Sequence, residues 1–176
     1  MSISIVEMAP MARVIVEQIL GVKPGENVCI FTDTRRPQSI TQLLADSMQA
    51  AGAEPVVVTI TPRAVGGVDP PPPASAAIQA ADVVVAQASY AIVHTETVRD
   101  ALKRGVRLCD MWGFSEDMMV HGGATADYGE IRELSQRLAQ VLTAGKEARL
   151  TTRDGTDFAV SLEGRQSAVL AALATE

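Results

Sequence analysis

At 176 residues, 47% hydrophobic and 20% charged, the chain can bury one sizeable core and begin a second, and it is too apolar for disorder. A net charge of −6 excludes a nucleic-acid footprint, which needs Lys and Arg clustered in excess. The opening stretch MSISIVEMAPMARVIVEQIL has no basic residues ahead of its apolar ones and is interrupted by Glu7, Arg13 and Glu17, so neither an export signal nor a membrane span fits and a cytoplasmic protein is expected.

Apolar residues at helical spacing over Ile5–Leu20 predict an opening helix, stopped by Gly21 and then Pro24-Gly25. Val28–Thr32 (VCIFT) is a continuous, β-branched run, as expected of a strand covered on both faces and central in a sheet. Arg35-Arg36 follows it; a solvated loop is the favoured reading and anion binding the lesser one. Pro37–Ala51 puts Ile40, Leu43, Leu44 and Met48 on one stripe and reads as a crossover helix, and Pro55–Ile60 reads as the second strand, reached by a right-handed connection.

Pro62–Pro73 holds Gly66-Gly67 and four successive prolines, which predicts a surface loop of polyproline character ahead of a helix over Ala74–Ala81. Val83–Ala88 is the third strand, Glu96–Arg104 a short helix closed by Gly105, and Arg107–Met111 the fourth strand. One helical turn is expected at Asp117–Val120 and a long helix at Asp127–Ala144, with Thr125 as its apparent cap and Ile131, Leu134, Leu138 and Val141 on one face. Beyond Gly145 the period changes to 2, and Glu147–Thr152 and Phe158–Glu163 flank Asp154-Gly155 as a hairpin.

Strands alternating with helices imply an α/β domain with an open, mainly parallel, Rossmann-like sheet and flanking helices. A lone hairpin is marginal by itself. The expected boundary therefore lies near Ala144–Lys146: an α/β domain over 1–145, and over 146–176 the first hairpin of a second domain, to which the apolar SAVLAALATE also belongs.

Cofactor-binding and nucleophile motifs such as GxGxxG, the lysine phosphate loop, GxSxG, CxxC and HExxH are absent. Cys29 and Cys109 lie in apolar runs and read as reduced core thiols, and Met111, Met118 and Met119 read as packing around Trp112. The ligand crevice of an open parallel sheet lies beyond the carboxyl ends of its strands, here Asp33-Thr34-Arg35, Thr61, Ser89-Tyr90 and Trp112-Gly113. His94 follows the third strand and leads into the next helix, where it could shuttle a proton, since histidine titrates at about 6.5; the plainer reading is a helix-start histidine bonded to nearby backbone. His121, before Gly122-Gly123, reads as incidental to catalysis. Two distant histidines and acids on helix surfaces do not reproduce metal-ligand spacing, so no metal is expected on this chain itself.

The segments GVKPGENVCIFTDT (Gly21–Thr34), ADVVVAQASYAIVHT (Ala81–Thr95) and GFSEDMMVHGGATADYGEIRELSQRLAQVL (Gly113–Leu142) resemble the amino-terminal domain of the aminopeptidase T and 2,5-dihydroxypyridine dioxygenase superfamily. TTRDGTDFAVSLEGR (Thr151–Arg165) resembles the start of its carboxyl-terminal domain. The resemblance implies a metal-dependent enzyme that either hydrolyses N-terminal peptide bonds with Zn or Co, or inserts dioxygen into a hydroxylated pyridine with Fe(II). Its metal ligands would lie past Glu176, and a carboxyl-terminal domain or partner chain and a homo-oligomer are implied.

The Tyr90–Thr95 stretch is similar to the dioxygenase version, in which the position of His94 borders the substrate. The expectation is therefore an amino-terminal wall of a small-molecule substrate crevice, inactive alone, with His94 as catalytic candidate and Ser89, Tyr90, His94, Thr95 and Trp112 facing the substrate. The alternatives are an aminopeptidase domain and a non-catalytic α/β binding or scaffold module.

Overall fold

The computed structural model describes residues 3–169, and the apolar run expected to continue the second domain falls largely outside the described residues. Backbone contacts group these residues into two compact units, one ending at Thr125 and the other beginning at Ala126.

The first unit is an α/β layer structure. Ser4 caps helix α1 (Ile5–Arg13) in a capping box with Glu7, and the helix runs on as a π-helical segment, Val14–Ile19. Strands β1 (Asn27–Asp33), β2 (Glu54–Ile60), β3 (Val83–Gln87) and β4 (Arg107–Asp110) form one sheet in the order β2-β1-β3-β4, parallel throughout. Helices α2 (Gln38–Ala50), α3 (Pro72–Ala80) and α4 (Glu96–Lys103) make the crossovers.

The two strands with unbroken apolar runs, β1 and β3, are the central ones, because only there are both faces covered. Cys29, Phe31, Val84 and Ala86 face α3 and α4 through Ala74, Ile78, Val98 and Ala101. Alternation sends Val28, Ile30, Val83 and Val85, all buried, to the opposite face, where α1 packs on α2 and α2 on β1. β2 is an edge strand, which accommodates Pro55, a residue with no amide to donate, and leaves Val56 and Val57 exposed.

Two local expectations need correction. The proline run does not exclude helix: α3 begins inside it, with Pro72 and Pro73 in its first turn, where amides lack helical partners anyway. Thr125 is not the cap of the long helix; its hydroxyl donates to the Gly122 carbonyl in a short 3₁₀ turn, Gly123–Thr125, and Asp127 caps the helix by accepting from the Gly129 and Glu130 amides at 2.9 and 3.1 Å. Aspartate accepts at both amides, which one hydroxyl does less well.

In the second unit, helix α5 (Tyr128–Ala144) accompanies the antiparallel hairpin of β5 (Glu147–Thr151) and β6 (Asp157–Ser161). The grouping sets α5 with the hairpin, upstream of the expected boundary at Gly145. Its stripe of Ile131, Leu134, Leu138 and Val141 is exposed, as are Leu150 and Phe158 of the hairpin. Arg149 and Asp157 form a two-pronged ion pair across the strands.

Candidate functional site

The strand order reverses between β1 and β3, so the switch point, where an open parallel sheet leaves a crevice, lies between the carboxyl ends of these two strands. Asp33 closes the seam. Its carboxylate, only 4% exposed, accepts from the Ser89 amide at 2.6 Å, the Ser89 hydroxyl at 3.0 Å and the Arg35 amide at 2.9 Å. These bonds tie the tip of β1 to the tip of β3 and fix where the chain turns outward at Tyr90. The cavity lined by Tyr90 with Phe31, Ile60, Val65 and Ile92 amounts to about 10 Å³, too little for a ring.

Gln87, fully buried one residue before the end of the seam, donates to the Pro37 carbonyl at 3.1 Å and accepts from the Thr41 hydroxyl. A buried amide with both ends satisfied orients what it touches, and here it locks the start of α2 to β3.

The sequence-derived candidates divide by what surrounds them. Ser89 is half-buried and committed to Asp33. Tyr90 and Trp112 are exposed, Trp112 at 58%, and offer flat apolar surface at the tips of β3 and β4. Thr95 is buried; its hydroxyl donates to the Ile92 carbonyl at 2.7 Å and accepts from the Val98 amide, capping α4. The turn that this cap fixes carries His94, which is exposed and, among the described residues, makes no hydrogen bond through its ring, so the plainer reading of it as a backbone-bonded helix-start residue does not describe it.

Asp110, at the end of β4, is the residue that sequence reasoning passed over. Its Oδ1 accepts from the Trp112 amide at 3.2 Å, while Oδ2 is buried without a partner. Burial raises the pKa of this carboxyl, against the lowering influence of the Trp112 and Val93 amides and of the nearby His94. Because the ionised form is the penalised one, the carboxyl adds stability below the ordinary aspartate value near 3.8 and loses it as pH rises through the elevated folded value. Asp110→Asn should accordingly raise the melting temperature at neutral pH and leave it unchanged in acid. A variant less stable than the parent at pH 7 would show instead that the charge is satisfied.

Other candidates are accounted for structurally. Burial pushes the thiol of Cys29 up to about 11 and that of Cys109, beside Asp110, up to about 12, so both stay protonated and inert. Met111 and Met119 are core residues, but Met118 is exposed and contributes no packing there. His121 lies 3.0 Å from Asp117 within a solvent-facing 3₁₀ turn. Arg36 departs from the solvated-loop reading, for its Nε is excluded from water and has no partner. No three His, Cys, Asp or Glu side chains converge among the described residues, so their donor set does not fit a metal centre. No described helix is long and apolar enough to cross a membrane.

The family model for NicX, 2,5-dihydroxypyridine 5,6-dioxygenase, matches residues 14–175. The chain belongs to this family. No curated protein matches it. Among solved structures, that of 2,5-dihydroxypyridine dioxygenase from Pseudomonas putida KT2440 is similar in fold, with a TM-score of 0.70 and 15% identity over 91% of this chain. The chain spans 48% of that structure's length, which points to a further domain in the neighbour. Membership of the NicX family bears out the resemblance seen in the sequence on its dioxygenase side, and a family of dioxygenases suggests a metal cofactor in the complete enzyme.

Proposed function

We propose that this chain is the amino-terminal, substrate-crevice half of a ring-cleaving dioxygenase acting on a 2,5-dihydroxypyridine-type substrate. The observation that carries the reading is the grouping of His94, Asp110 and Trp112 at the carboxyl edge of the sheet, in a chain belonging to the NicX family. When bound, Fe(II) would supply the activation of dioxygen, held by ligands from outside the described residues.

The role of this half is to bind, orient and move a proton. Tyr90 and Trp112 would flank an aromatic ring, and Ser89, steadied by Asp33, would set the depth at which it rests. His94 would take the proton of a ring hydroxyl at an imidazole nitrogen. Asp110, near it with one buried carboxyl oxygen, would act as a positioning residue for the imidazole ring. Thr95 would serve the site through the cap that aims His94. The exposed apolar stripe of α5 supports a carboxyl-terminal domain or partner chain as the surface that completes the enzyme, and a homo-oligomer is compatible with it.

The test is kinetic. In the complete, iron-loaded enzyme, Tyr90→Ala and Trp112→Ala should each raise KM for 2,5-dihydroxypyridine about five- to tenfold, the loss of one stacking surface, with kcat within about twofold of the parent. Oxygen uptake with both constants unchanged in both variants would remove these rings from the substrate wall.

A further inference from the structure

A second concavity opens on the other side of β1 from His94, between the start of α2 and the ends of β1 and β2. It measures about 530 Å³, and its lining includes Thr32, Asp33, Arg36, Gln38, Ser39 and Thr59. Three groups there lack partners. The Thr32 hydroxyl, on a residue only 4% exposed, has no hydrogen bond, and a buried hydroxyl left unmade destabilises the fold unless something enters to satisfy it. The Arg36 Nε is likewise buried and unbonded, and no described ion pair includes this guanidinium.

The third group is the helix end. Pro37 occupies the cap position of the 13-residue α2 with no capping side chain, and the first helical bond is made by the Thr41 amide to the Pro37 carbonyl. The amides of Gln38 and Ser39, two residues that line the groove, therefore have no helical partner, at the positive pole of the helix.

Nearby carboxylates do not fill this role. Asp33 spends both oxygens on Ser89 and the Arg35 amide, and Glu116 receives the Ser39 hydroxyl but none of the helix amides. The helix start is held rigidly, since Gln87 grips the Pro37 carbonyl and Thr41. A fixed set of donors with one cation, beside carboxylates already engaged by other donors, suits a group that brings several acceptor oxygens and negative charge.

We propose that this groove is an oxyanion-binding site, taking the carboxylate or phosphate group of a small ligand through Arg36, the Thr32 hydroxyl and the first amides of α2. The site is separate from the rim assigned to the pyridine substrate, and its test reads no turnover, so failure of either assignment leaves the other standing.

The test is calorimetric and thermal titration of the purified protein with sodium phosphate and, separately, sodium succinate, at ionic strength matched with sodium chloride. At least one anion should bind saturably and raise the melting temperature. Phosphate alone would identify a phosphoryl ligand, and succinate alone an organic acid. Arg36→Gln should weaken binding by about tenfold or more, as expected for a charge-assisted pair. Thr32→Val should weaken it by about three- to tenfold while raising the melting temperature of the anion-free protein, because a methyl replaces a hydroxyl that has no partner. Should Arg36→Gln fail to fold, the Thr32→Val pair of measurements decides alone. Binding no stronger than in matched chloride, or binding untouched by the folded variants, would overturn the proposal.

Discussion

Asp33→Ala should cost about 3–5 kcal/mol of folding stability, because it leaves the donors at this seam without their acceptor, at about 1–3 kcal/mol for each one buried and unsatisfied. The variant loses three bonds at once: the Ser89 amide at 2.6 Å, the Ser89 hydroxyl at 3.0 Å and the Arg35 amide at 2.9 Å. It also strands the Ser89 amide at the seam between β1 and β3, where the sheet changes direction and no neighbouring carbonyl is bonded to it. Asp33→Asn, which keeps one accepting oxygen, should lose less than half as much. Urea unfolding followed by circular dichroism measures both, and a loss below about 1 kcal/mol for the alanine variant would mean that the strand tips hold their spacing without this carboxylate.

The second large effect is catalytic. In the complete, iron-loaded enzyme, His94→Ala should lower kcat/KM about 10²- to 10⁴-fold, the span for loss of a positioned proton-transfer group. Folding should not suffer, since the ring is exposed and makes no hydrogen bond among the described residues. A KM-against-kcat split separates this role from a merely structural one: His94→Ala should lower kcat while KM for 2,5-dihydroxypyridine stays within about twofold of the parent. An unaltered kcat/KM in His94→Ala would leave the residue as a surface position of the turn before α4.

The parts of the fold legible in the sequence are those decided by local pattern. VCIFT and VVVAQA read as buried strands because two covered faces demand apolar residues at every position, and they are the two central strands. The Asp154-Gly155 turn announces its hairpin because Gly155 adopts φ 94°, a conformation that residues with a side chain rarely take. Pairing order was not legible: nothing in β2 or β3 tells which side of β1 each joins, since that depends on which face the crossover helix takes.

The site divides in the same way. His94 and the strand-tip residues stand out because topology alone sends them to the carboxyl edge of the sheet. Asp110 did not stand out, and Arg36 stood out only within a basic pair read first as a solvated loop, because an aspartate ending a strand and an arginine after one look solvated until tertiary packing removes water from their polar atoms. Thr95 presented as a candidate ligand for the opposite reason; its cap geometry is common to helix starts, and only the structure shows both its hydrogen bonds already used. The apolar stripe of α5 reads as core by its spacing, yet a stripe records only that burial is wanted, not where the covering surface lies.

If these residues supply the wall of a dioxygenase site and not its metal centre, oxygen uptake with 2,5-dihydroxypyridine and ferrous iron, measured on this chain alone and on the chain joined to a carboxyl-terminal half from the family, will show it directly. The expected result is no uptake and no stoichiometric iron in the chain alone, and uptake dependent on His94 once the second half is present. Turnover by the chain alone, with one iron bound per molecule, would contradict it.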